Sequence, residues 1–92
     1  MGWTIEFTDA ALKQLAKLDK PIARRIVDFM ERRVGGLDDP RLLGESLKGP
    51  RLGDFWKYRV GDWRIVCDLQ DRRVVVQVVK IGNRREIYRD PP

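Results

Sequence analysis

Histidine is absent from this 92-residue chain, and cysteine occurs once, as Cys67. Without histidine the common nucleophile–imidazole pairs cannot be built. The side chain that most often moves protons near neutral pH is missing too. One thiol and no imidazole argue against a zinc centre, and neither a metal nor a cofactor is expected. The lone cysteine has no partner within the chain, so no disulfide staples the fold. No apolar run approaches the roughly 20 residues of a membrane-spanning helix, and no signal-peptide pattern opens the chain. A cytoplasmic protein with no membrane partner is the expectation.

What is present describes one globular domain. Hydrophobic residues make up 42% and charged residues 36% of the chain, a composition too apolar for disorder. The length allows one modest core, so a single domain over residues 1–92 is expected. The formal charge is +5, and its placement is uneven. Residues 1–50 hold nine Lys/Arg against eight Asp/Glu, whereas residues 51–92 hold ten against six. An excess confined to the C-terminal half favours a localised anion-binding surface.

The opening WTIEF, residues 3–7, alternates Trp3, Ile5 and Phe7 with Thr4 and Glu6, which predicts a half-buried strand. Thr8 is placed to cap a first helix carrying Leu12, Leu15, Ala16 and Leu18. Pro21 opens a second helix, with Ile22, Ile26, Phe29, Met30 and Val34 as its apolar stripe and Gly35-Gly36 as its stop. Lys13, Lys17, Lys20, Arg24, Arg25, Arg32 and Arg33 ride on these helices. With acids interspersed, they read as a solvated face. Residues 35–54 form a connection pinned by Leu42, Leu43 and Leu47. Strands are predicted at 55–60, 63–70 and 73–81, with Asp71-Arg72 as the turn between the last two. The stretch VVVQVVKI is apolar on both sides, as in a central strand. The order β-α-α-β-β-β implies an α+β fold, an antiparallel-rich sheet with a helical hairpin packed on one face.

The stretch WKYRVGDWR, Trp56 to Arg64, reads as a hairpin. If Gly61-Asp62 is a two-residue turn, Val60 pairs with Trp63 and Arg59 with Arg64. Trp56, Tyr58, Val60, Trp63, Ile65 and Cys67 then face the helices. Lys57, Arg59 and Arg64 gather on the other face, where like charges across a ladder repel. Asp68 shares that face but lies too far along to neutralise all three. An arriving anion is therefore expected to relieve the repulsion, and phosphate suits the arginine fork. Phe55 adds a ring suited to stacking on a base. Beyond the third strand, Arg84 and Arg85 follow a Gly-Asn turn, and Tyr88 comes soon after.

WKYRVGDWRIV followed by VVVQVVKIGNRREIY resembles the RelE branch of the RelE/ParE superfamily of bacterial and archaeal type II toxins. The resemblance runs from the opening strand to Tyr88. It implies a RelE-like microbial RNase fold and a ribosome-dependent endoribonuclease that cuts mRNA in the A site of the 70S ribosome. It also implies a cognate, RelB-like antitoxin whose small acidic segment wraps the toxin. Carried over by residue, the catalytic site would comprise Lys57, Arg59, Arg64, Arg84 and Tyr88, with Phe55, Arg85 and Lys80 contacting RNA. The family often has a second lysine where this chain has Arg59, and many relatives have histidine where it has Asn83.

The expected chemistry is attack of a 2′-OH on the adjacent phosphate. Arg64 and Arg84 suit stabilisation of the phosphorane. A guanidinium does not give up its proton in proteins, so Arg59 is expected to hold phosphate rather than transfer protons. The base is then Lys57 or Tyr88, and Glu86 is a further acidic candidate. Two rival readings remain. One is a ParE-like inhibitor of DNA gyrase; the other is a nucleic-acid-binding relative without catalysis.

Overall fold

The computed structural model describes residues 2–47 and 55–87. Its elements are β1 (Thr4–Phe7), α1 (Asp9–Ala16), α2 (Lys20–Asp28), β2 (Glu45–Ser46), β3 (Phe55–Val60), β4 (Trp63–Gln70) and β5 (Val75–Asn83). The strands make one sheet in the order β1-β5-β4-β3-β2. β1 runs parallel to β5, and every other pair is antiparallel.

Capping starts α1 as the sequence predicts. Thr8 is extended, and its hydroxyl accepts a hydrogen bond from the Ala11 amide at 3.1 Å. The helix is rotated from its expected face: Ala11 is buried, whereas Leu12 is 47% exposed. Leu15 and Leu18 still reach the core. α2 carries Pro21 in its first turn and then widens into a π-helical turn over Phe29–Val34 that ends at Gly35. The widened turn keeps Met30 and Val34 fully buried and sets Phe29 edge-to-face against Tyr58, with ring centres 6.2 Å apart.

One main core lies between the helices and the sheet. Ile26, Met30, Val34, Tyr58, Ile65, Cys67, Val76 and Val78 form its centre, flanked by Trp3, Ile5, Phe7, Trp56 and Trp63. The hairpin register matches the expectation: Val60 pairs with Trp63, Arg59 with Arg64, and Lys57 with Val66. Gly61 has φ +59, whereas Asp62 does not share the left-handed conformation, as in a type II′ turn.

Three features depart from the expected layout. A short strand, β2, lies inside the 35–54 connection and pairs Glu45 with Lys57. Within that connection, Leu43 and Leu47 pack inward but Leu42 is 70% exposed. The turn after β4 takes four residues rather than two, so β5 runs from Val75 to Asn83 instead of 73–81. Finally, β5 carries a bulge. Val66 pairs with Lys80 and Cys67 with Val78, leaving Val79 as the extra residue. The bulge changes the strand's parity, so Val78 and Ile81 both enter the core while Lys80 stays out of it.

Two stability predictions follow from this packing. The buried Tyr58 hydroxyl donates to the Pro40 carbonyl at 2.6 Å. Tyr58→Phe is expected to cost about 1–3 kcal/mol in urea unfolding, the penalty for a buried carbonyl left without its donor. Val74 holds φ 54 while 44% exposed, an unfavourable conformation for a β-branched residue. Val74→Asn, which tolerates that conformation without glycine's entropy cost, is expected to stabilise by about 1 kcal/mol in the same assay.

Candidate functional site

A cleft of about 760 Å³ opens beside β3 and is lined by Phe29, Leu43, Gly44, Glu45, Lys57, Tyr58, Arg59, Arg64, Arg84 and Arg85. Among the described residues it therefore gathers five cations against one carboxylate. Three of the cations are set by the hairpin. Arg59 and Arg64 are cross-strand partners, and Lys57 lies two residues along on the same face.

The other two arrive by a fold-back. Arg64 faces Gly82 across the β4–β5 ladder, and a Cβ at Gly82 would meet the Ile87 Cδ1 at 3.1 Å. Glycine thus lets the turn after β5 close over the sheet. That turn is tied down by hydrogen bonds from the Glu86 and Ile87 amides to the Asn83 carbonyl, at 2.9 and 3.0 Å. The Arg84 amide donates to the Asp62 carbonyl at 2.8 Å, which anchors Arg84 beside the hairpin turn.

Internal partners already offset part of the repulsion. Lys57 Nζ sits 3.0 Å from Glu45 Oε1. Arg84 Nε lies 3.9 Å from Asp62 Oδ1, a loose pair. Arg64 Nη1 donates to the carbonyls of Gly61 and Trp63, both at 3.0 Å, so one edge of its guanidinium braces the turn. Arg59 is exposed and makes no ion pair with any described residue. The expectation that relief must come from an arriving anion is corrected here for Lys57, because β2 delivers Glu45 to it. Asp68 is engaged elsewhere and accepts from Gln70 Nε2 at 3.0 Å.

The protonation candidates also separate. Lys57 is engaged by the Glu45 carboxylate at 3.0 Å. Tyr58 lines the cleft but is 1% exposed. Burial first, then the neighbouring Cys67, pushes its phenol well above the usual range, and its hydroxyl is committed to Pro40. Glu45, whose side chain is 70% exposed, is the carboxylate that faces this space.

Other predicted contacts lie elsewhere. Phe55 packs with Leu47, Val66, Val79 and Ile87 in a small second cluster, because its side of β3 is covered there by the chain returning after β5. Lys80 Nζ donates to the Ile87 carbonyl at 3.2 Å. Neither residue lines the cleft. Glu86 is exposed on the turn and is likewise not among the lining residues. Tyr88 lies outside the described residues. Five lining residues were not expected at the site: Phe29, Leu43, Gly44, Glu45 and Tyr58. Glu45 gave no signal, since β2 is only two residues long. Phe29 was legible only as part of a core stripe.

Comparison with known proteins agrees with this architecture. The family model described as the ParE toxin of the type II toxin–antitoxin system parDE matches residues 5–88. The chain is 30% identical over 90 residues to Toxin RelG of Mycobacterium tuberculosis, covering 97% of this chain and 99% of that one. It is 28% identical over 92 residues to the mRNA interferase toxin RelE of Escherichia coli, covering 96% and 92%. Among solved structures, the RelBE2 toxin–antitoxin complex of M. tuberculosis aligns with TM-score 0.81 at 23% identity, covering 90% of this chain and 92% of that one. A free-state mutant of E. coli toxin RelE aligns with TM-score 0.69 at 25% identity, covering 95% and 88%. The chain belongs to the RelE/ParE superfamily of type II toxin–antitoxin toxins, on its RelE branch.

Proposed function

We propose that this toxin is an endoribonuclease that cuts mRNA in the ribosomal A site by 2′-OH attack on the adjacent phosphate. The observation that carries this reading is the convergence of Lys57, Arg59, Arg64 and Arg84 on one cleft. The 2′-oxygen forms a bond to phosphorus, the P–O5′ bond breaks, and the products are a 2′,3′-cyclic phosphate and a 5′-hydroxyl. Arg59, exposed and unpaired among the described residues, binds the phosphate. Arg64 and Arg84 face the developing charge of the phosphorane, where preorganised cations contribute most. Arg84 lies toward the leaving oxygen, which takes its proton from water.

Glu45 is the best-placed acceptor for the 2′-OH proton. Lys57 orients its carboxylate and adds positive charge beside the phosphate. Tyr88 keeps the role implied by its place in the family pattern, stacking on and orienting a nucleotide. Arg85 extends the anionic contact along the strand. With no histidine to complete an acid–base pair, the rate depends on how well the substrate is held. The ribosome supplies that positioning, so cleavage of free RNA is slow.

The partner that silences the toxin is an antitoxin with an acidic, partly disordered segment that folds on docking. Beyond Glu45 the chain turns away from β3 at Gly44, which has φ +72, so β2 covers β3 only as far as Lys57. Among the described residues, none pairs with the strand edge at Tyr58–Val60, which suits such a segment. The relatives named for RelE support the nuclease reading, and the match to the ParE model favours one alternative, inhibition of DNA gyrase by the same fold.

Two measurements test these roles. Arg64→Ala is expected to lower mRNA cutting in a translating extract by at least about a hundredfold without unfolding the protein. Supercoiling by gyrase, assayed in the same extract, should be unaffected by the wild-type toxin. Gyrase inhibition without mRNA cuts would decide for the alternative. Glu45→Gln is expected to reduce the single-turnover cleavage rate on programmed ribosomes by about 10²-fold or more, with ribosome binding retained. A rate equal to wild type would remove Glu45 from proton transfer.

A further inference from the structure

Little in β2 itself holds Glu45 at the cleft. The strand is two residues long, and both are exposed. An exposed ion pair such as that with Lys57 adds little order, whereas fixing each residue of a connecting segment costs backbone entropy. The order therefore comes from contacts on either side of Glu45, and Trp56 supplies both. Its backbone is paired with Ser46 in the β2–β3 ladder. Its indole Nε1 reaches back past Glu45 and donates to the Leu43 carbonyl at 2.6 Å. Glu45 is thus bracketed by a single residue of β3, the neighbour of the Lys57 with which it pairs. Gly44 lies between the two ties with φ +72. A Cβ there would collide with the Lys57 carbonyl oxygen and lie 2.9 Å from Trp56 Nε1. The segment therefore approaches β3 more closely than any side chain at position 44 allows. Trp56 is not among the residues that line the cleft, so its influence there passes through Glu45.

We propose that Trp56 and Gly44 are positioning residues for the reaction: the indole N–H and the bare backbone of Gly44 fix the Glu45 carboxylate where it accepts the 2′-OH proton. The proposal rests on the nuclease reading above, with Glu45 as proton acceptor, and adds the residues that aim that carboxylate. Proton transfer requires hydrogen-bond reach, and a displacement of about 1 Å can cost about a hundredfold in rate. Trp56→Phe keeps an aromatic ring and deletes the donor. Gly44→Ala keeps the donor and lifts the segment from β3, at an exposed position outside the core. The two changes reach Glu45 by separate routes.

The test is a double-mutant cycle on the full chain with programmed ribosomes, read as the single-turnover cutting rate at saturating toxin. Trp56→Phe and Gly44→Ala are each expected to cut roughly 10- to 100-fold more slowly than wild type, with the half-saturating toxin concentration unchanged. In the Glu45→Gln background each should slow cutting by less than about twofold, because the carboxylate they aim is gone. A merely structural role would slow both backgrounds alike. If Trp56→Phe loses its dispersed amide NMR signals and so its fold, Gly44→Ala decides alone. Equal losses with and without the Glu45 carboxylate overturn the positioning role and leave Glu45 as acceptor; wild-type rates in both variants overturn it too. If Glu45→Gln itself cuts as fast as wild type, Glu45 is not the acceptor and the proposal falls with it. If the wild-type toxin makes no cuts, the nuclease reading fails first.

Discussion

Everything at the site depends on the register of β3 against β4. The two-residue turn at Gly61-Asp62 places Arg59 opposite Arg64, and the same register seals the main core. Burial of an apolar side chain stabilises by roughly 1.5–3 kcal/mol, and Trp56, Tyr58, Val60, Trp63, Ile65 and Cys67 all join that core. Two like charges about 4 Å apart in water cost only about 1 kcal/mol. The apolar match therefore wins, and the cations are held together by a face they do not share. A one-residue slip would turn every side chain of the strand to the opposite face.

The fold moderates the crowding without cancelling it. Glu45 pairs with Lys57, Asp62 lies near Arg84, and Arg64 braces the turn carbonyls. Among the described residues Arg59 has no such partner, and Arg64 bonds through one nitrogen only. The cations of the cleft are thus held in place by the fold itself. Of the groups on the cleft, Lys57 is paired with Glu45, and burial pushes the Tyr58 phenol up.

Much of this was legible from short-range pattern. Alternation marked β1, β3 and β4, Thr8 and Pro21 marked helix starts, and a Gly-Asp pair set the hairpin. Longer-range features were not. Residues 74–81 are apolar on both sides, so their periodicity could not reveal the Val79 bulge that puts Ile81 in and Lys80 out. Leu12 has the spacing of a core residue, yet packing of α1 on β5 chose Ala11. Phe55 has the alternation of an outward residue, yet Leu47 and Ile87 cover it.

The sequence by itself determined the layers, the hairpin register and the gathering of Lys57, Arg59 and Arg64, because alternation and turn chemistry act between residues close in the chain. Only the tertiary structure decided which residues complete the cleft. Glu45 and Phe29 come from separate segments and are brought to the cleft by core packing and by the pairing of β2 with β3. Those contacts join residues far apart in sequence, so they leave no periodic trace in it.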